Sequence, residues 1–377
     1  MKGSFKNSII KAIMTLSKKC NFPERRPSLS GRSSFLVVST TGIGDTLWGT
    51  PAIKALRETF PDAYICVLTN PAGFEVLKGN PDIDDILIFI QGSFGYLSCI
   101  GLLTQLRKKN IATAFIFHSS DRIIWPLCFF SGAVNIIGIE GQSKGLDFIL
   151  TKTIKLQDNI HGIETRLRLV KQVGAKNASR TISIYLADRE REAAVRFMES
   201  NGIKKENSSI IGFQPGAQKP FKCWPQENFI EAGNILVKSL GCKIIVTGDS
   251  SERELVDEIA SGIKGAVPAA GKLSIRETAA IIEKMNLFIT NDTGPMHIAF
   301  ALKTPTIALF SPTDPRLCGP HHADRVAIIS KPITCNPCTG KKCLNPVCME
   351  QIEVKEVVES AKVMLRRYNA HMAMRQI

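Results

Sequence analysis

The chain has 377 residues, 44% hydrophobic and 22% charged, an ordinary globular composition with length enough for two domains. No apolar run reaches the roughly 20 residues of a spanning helix. The segment 9–16 is short and broken by Lys11, so it reads neither as an anchor nor as a signal peptide. Eleven cysteines without a secretory leader fit a reducing compartment.

The net charge of +14 is unevenly spread. Lys2, Lys6, Lys11, Lys18, Lys19, Arg25, Arg26 and Arg32 face the single acid Glu24 within residues 1–32. Phe5, Ile9, Ile13 and Leu16 share one helical face. The segment reads either as a basic amphipathic extension suited to an anionic membrane surface or as a disordered basic tail. No nucleic acid is expected as a partner, because neither interleaved aromatics nor a recognisable nucleic-acid module accompanies the charge.

Strands are predicted at Phe35–Ser39, Tyr64–Thr69, Asp85–Ile90, Thr113–Phe117 and Asn135–Ile139, with helices at Thr50–Thr59, Phe74–Lys78 and Leu97–Lys109. A polar stretch from Lys176 to Ser209, holding a charged helix at Asp188–Asn201, reads as a link. A second series follows: strand Ser209–Gln214, helix Pro225–Leu240, and strand Lys243–Thr247. It continues with strand Leu287–Thr290, helix Pro295–Leu302 and strand Thr306–Phe310. Such alternation predicts an α/β chain of two doubly wound parallel-sheet domains facing across a cleft, with ligands at the carboxyl ends of the strands. The expected boundaries are an extension 1–32, a first domain 33–185, a linker 186–208, a second domain 209–355 and a C-terminal helix 356–377.

The stretch "STTGIGDTLWGTPAIKALRETFPDA" (39–63) opens like a phosphate loop but fails both familiar patterns. The dinucleotide fingerprint needs a third glycine where Leu47 stands, and the ATP/GTP loop needs a lysine after Gly49. Asp45 therefore reads either as a helix cap or as a carboxylate that takes a proton in a cleft. In "FITNDTGPMHIAFALKTPTIALF" (288–310), a strand runs through Asn291-Asp292 into a helix whose first amides, at Thr293 and Gly294, suit a diphosphate. Asp292 is placed for sugar hydroxyls, and His297 lies on the first turn; the alternative is a capped helix with His297 in the core. In "FQPGAQKPFKCWPQENF" (213–229), Lys219 and Lys222 precede Trp224-Pro225, where a lysine serves as a point charge for phosphate. Glu252, near a helix start after Gly248-Asp249, either holds a ribose diol or complements the helix dipole.

Taken together, Gly42-Ile43-Gly44-Asp45 with Pro51-Ala52, Pro215-Gly216, Lys222 before Trp224-Pro225, and Asn291-Asp292-Thr293-Gly294-Pro295-Met296-His297 resemble glycosyltransferase family nine. These are the bacterial lipopolysaccharide heptosyltransferases, and the likeness runs from about residue 33 to 355. It implies a GT-B architecture of two Rossmann-like domains and inverting transfer of heptose from an ADP-sugar donor to a glycolipid acceptor of the lipid A–Kdo type. It implies Asp45 as general base, with Gly42, Gly44 and Thr46 on the acceptor side. It assigns the donor to Lys222, Glu252, Asp292, Thr293, Gly294 and His297, without a metal or other cofactor. It further implies a monomer in the cytoplasm, peripheral at the inner membrane of a Gram-negative bacterium. The residues alone leave two alternatives: transfer of another nucleotide-sugar to a different glycolipid, and a catalytically silent glycan- or nucleotide-binding relative. The 32-residue extension before the first strand departs from the family pattern. Cys335, Cys338, Cys343 and Cys348, spaced C-x₂-C-x₄-C-x₄-C, either hold a metal or form a loop of thiols.

Overall fold

In the first of two units, Met1–Ile182, six strands build one parallel sheet. They are β1 (Ser34–Ser39), β2 (Tyr64–Thr69), β3 (Asp85–Ile88), β4 (Thr113–His118), β5 (Asn135–Ile139) and β6 (Lys152–Ile154), in the order β3-β2-β1-β4-β5-β6. Every residue of β1, Ser-Phe-Leu-Val-Val-Ser, is buried. An unbroken apolar strand of this kind needs helices on both faces, because no face is left for water. The computed structural model describes residues 11–17, 19, 33–91, 95–119, 121–176, 179–203, 208–321, 325–333, 335, 343 and 347–374.

The second unit, Ser183–Ile377, repeats the winding. Strands β7 (Ile210–Gln214), β8 (Lys243–Val246), β9 (Val267–Pro268), β10 (Leu287–Asn291), β11 (Thr306–Phe310) and β12 (Val326–Ser330) form a parallel sheet in the order β12-β11-β10-β7-β8-β9. In each unit the strand order reverses at one place, between β1 and β4 or between β7 and β10. Chain leaving those carboxyl ends diverges to opposite faces, which opens a ligand crevice at that point of each sheet. The loops after β1, β4, β7 and β10 carry the chemistry considered below.

The helix Asp188–Ser200, within the segment read as a link, is fastened to the helix Ile275–Lys284. Arg276 Nε donates to Glu190 Oε1 at 2.8 Å, with both side chains buried, and Arg191 grips Glu283 through two hydrogen bonds. The extension is likewise not wholly separate from the first unit. Residues 11–17 are helical, and Met14 is fully buried in the cluster that includes Leu36, Leu102 and Leu106. Ile13 and Leu16, of the proposed apolar face, are 53% and 64% exposed. Phe5 and Ile9 lie outside the described residues.

Candidate active site

The glycine loop after β1 turns straight into a short helix, Ile43–Leu47, with Gly42 at its N-cap. Asn70 clamps the loop by donating to the Thr41 carbonyl while its Oδ1 caps the next helix through Gly73 N at 2.7 Å. Asp45 is thereby held on the first helical turn, with its side chain 28% exposed. Its Oδ1 accepts a hydrogen bond of 2.8 Å from Arg166 Nη2. His118, at the end of β4, contacts Thr41 Oγ1 through Nδ1 at 3.0 Å. Desolvation, assisted by the Arg166 and Lys144 charges, holds His118 below the ordinary histidine value against the pull of Asp45. Thr46 does not face a ligand through its side chain: it is 1% exposed, and its hydroxyl donates to Gly42 O at 3.1 Å. Its contribution is to brace the loop, whereas Gly42 is exposed and Gly44 buried.

In the second unit the structure gathers most of the expected donor residues at the ends of β7, β8 and β10. Lys222 sits on a single 3₁₀ turn, Pro220–Lys222, and its Nζ donates to Asp292 Oδ2 at 2.6 Å. Thr313 Oγ1 donates to the same oxygen at 2.6 Å. The register of this loop is fixed by Asn291, which accepts from Trp224 N at 3.1 Å and donates to Pro215 O at 2.6 Å. Asp292 is followed by the helix Gly294–Leu302, whose N-cap Thr293 makes no side-chain capping bond. With Pro295 lacking an N–H, the amides of Thr293 and Gly294 are the ones a bound anion would meet. His297 is 5% exposed, and its ring stands edge-on to Phe300 at 5.9 Å, the core-packed placement that the sequence offered as an alternative.

Glu252 lies at the neighbouring strand ends. Its Oε2 accepts from Gln214 Nε2 at 3.0 Å and from Asp249 N at 3.1 Å. Gln214 is itself oriented by Thr247 Oγ1, which donates to its Oε1 at 2.8 Å. Burial raises the Glu252 carboxyl above its ordinary value, against the two hydrogen bonds. The close seat explains Gly216: a Cβ there would stand 1.9 Å from Glu252 Oε1. A side chain at 216 would force the Glu252 carboxylate out of this seat.

Arg166, Gln214 and Thr313 went unrecognised in the sequence. Arg166 arrives on the helix Gly162–Lys171, 121 residues from Asp45, and nothing local to either residue signals the pairing. Of the four clustered cysteines, Cys338 lies outside the described residues, while Cys335 is exposed and Cys348 buried. Among the described residues, no group of three or more His, Cys, Asp or Glu is arranged to hold a metal ion. No described helix is long and apolar enough to cross a membrane.

Comparison with known proteins bears on the fold and the family. The chain is 31% identical over 312 residues to lipooligosaccharide heptosyltransferase 2 of Haemophilus influenzae, covering 78% of this chain and 88% of that one. It is 28% identical over 282 residues to lipopolysaccharide heptosyltransferase 3 of Escherichia coli, covering 72% and 80%. The fold matches that of the E. coli ADP-heptose LPS heptosyltransferase II with a TM-score of 0.73 at 19% identity, over 89% of this chain and 99% of that one. The family model described as glycosyltransferase family 9 (heptosyltransferase) matches residues 126–348, and the chain is a glycosyltransferase belonging to that family.

Proposed function

We propose that the chain transfers a heptose from ADP-heptose to the inner core of lipopolysaccharide, with inversion at the anomeric carbon. The observation that carries this reading is the division of charge between the two switch points. One presents the Asp45 carboxylate, and the other presents Lys222 beside a helix N-terminus. Inverting displacement needs one base and a stabilised leaving group, and no second carboxylate as nucleophile. Asp45 removes the proton from an acceptor hydroxyl as the oxygen attacks the anomeric carbon opposite the ADP. Lys222 and the amides of Thr293 and Gly294 stabilise the charge growing on the diphosphate. Lys222 donates to Asp292, so the diphosphate shares that ammonium, and Asp292 and Thr313 serve the sugar hydroxyls. Glu252 takes the adenosine ribose.

The names of the relatives support the choice of heptose and ADP, and the basic balance of the chain suits an acceptor bearing phosphates and carboxylates. We place the enzyme at the cytoplasmic face of the inner membrane, where the basic extension meets anionic lipid. The test is calorimetry with ADP-, UDP- and GDP-sugars, followed by NMR of the product linkage. ADP-heptose should bind best and give the inverted anomer. Preference for a UDP- or GDP-sugar, or retention of configuration, would overturn the assignment.

A further inference from the structure

Arg166 is built in more firmly than a chance partner of Asp45 would be. Its side chain is 4% exposed, and Nη1 donates to Gly162 O at 2.8 Å. Its guanidinium lies over the Trp48 ring, 5.2 Å from the centroid, and Trp48 meets His161 edge-on at 5.5 Å. His161 in turn accepts from Ile163 N through Nδ1 at 3.1 Å, capping the helix that carries Arg166. Gly162 lets the layers close: a Cβ there would stand 2.6 Å from the Trp48 ring and 3.0 Å from Arg166 Nη1. The stack ends on Asp45 Oδ1, while Oδ2 accepts no hydrogen bond among the described residues.

We propose that Arg166 is the positioning residue of the base, fixing Oδ1 so that Oδ2 alone receives the acceptor proton. The inference rests on Asp45 acting as general base. In the step, the proton passes from the acceptor hydroxyl to Oδ2 and the acceptor oxygen bonds to the anomeric carbon. The bond from that carbon to the diphosphate oxygen breaks, its electron pair leaving on ADP. The arrangement holds the base in a single orientation. Of the other titratable or charged groups, His118 feels the Asp45 charge, and the Pro71–Leu77 helix packed against that of Asp45 carries Glu75 and ends at its C-cap Lys78.

The experiment records kcat and acceptor KM for wild type, R166M, R166K, G162A, D45N and the D45N/R166M double variant, with ADP affinity by calorimetry. R166M should lose at least about tenfold in kcat while the acceptor KM changes little, the split expected when a bound acceptor meets a misaligned base. ADP affinity should hold. R166K, which keeps the charge without the fork, should recover part of the lost kcat but not all of it. The double variant should be no slower than D45N, because Arg166 acts through that carboxylate. Wild-type kcat in R166M, or losses that multiply in the double variant, would overturn the proposal. Should R166M fail to fold, G162A decides: it keeps every charge but forces the stack apart, and full wild-type kcat would refute the positioning role. D45N retaining its turnover would instead defeat the base assignment itself.

Discussion

Gly216→Ala isolates the ribose subsite from the rest of the fold. The new Cβ would stand 1.9 Å from Glu252 Oε1, whereas real Cβ contacts essentially never fall below 3.0 Å. The carboxylate must therefore retreat by about 1 Å or more, and it can, being the end of a flexible side chain. Folding should suffer little. What is lost is alignment, because Glu252 is held by Gln214 Nε2 and Asp249 N through normal-length hydrogen bonds. A hydrogen bond to a charged group contributes about 1.5–3 kcal/mol, so ADP affinity should weaken about 10- to 150-fold while the unfolding midpoint barely moves. Calorimetric titration with ADP reads the effect, and Glu252→Ala supplies the control. The G216A/E252A double variant should match E252A, since removing the carboxylate makes room for the methyl. Wild-type ADP affinity in G216A would refute the reasoning, and a double variant much weaker than E252A would mean that the methyl blocks the nucleotide directly.

Lys222→Ala should weaken ADP binding and lower kcat together, because the ammonium serves both the ground and transition states; unchanged values for both would remove it from the site. Glu190→Gln should cost about 3–5 kcal/mol in urea unfolding at pH 7, the usual result of stripping a buried partner from a cation such as Arg276. Burial opposes its ionisation, but Arg276, the Ala187 amide and Arg189 hold the Glu190 carboxyl down at about 2. Its contribution is therefore complete above the ordinary glutamate range and lost as pH falls toward about 2, and E190Q should lack that acid-side dependence. Met14→Ala should destabilise the first unit by about 2–5 kcal/mol, while vesicle binding through the basic residues persists. An unchanged unfolding midpoint would mean that residues 11–17 contribute no packing.

Both sheets were largely legible because their central strands are unbroken apolar runs. Phe35–Ser39, Tyr64–Thr69 and Thr306–Phe310 return in the structure within a residue of their predicted limits. The edge strands Lys152–Ile154, Val267–Pro268 and Val326–Ser330 were missed, being short, proline-bearing or weakly buried. The meeting of Lys222 with Asp292 was readable since both follow strand ends that a parallel sheet must bring to one edge. Arg166 was not, because its helix had not been recognised and its meaning depends on tertiary approach to Asp45. Thr46 and His297 were drawn toward ligand roles by motif position, yet both side chains point into packed surroundings.

The central claim is that Asp45 removes the acceptor proton while the second unit alone holds the nucleotide. Steady-state transfer by Asp45→Asn, with ADP-heptose and a delipidated acceptor, tests it most directly when paired with calorimetric ADP binding on the same preparation. The account predicts that kcat falls by about 10²–10⁴, the range of general base catalysis, while the ADP dissociation constant stays within about twofold of wild type. Turnover preserved in D45N, or ADP binding lost with it, would contradict the account.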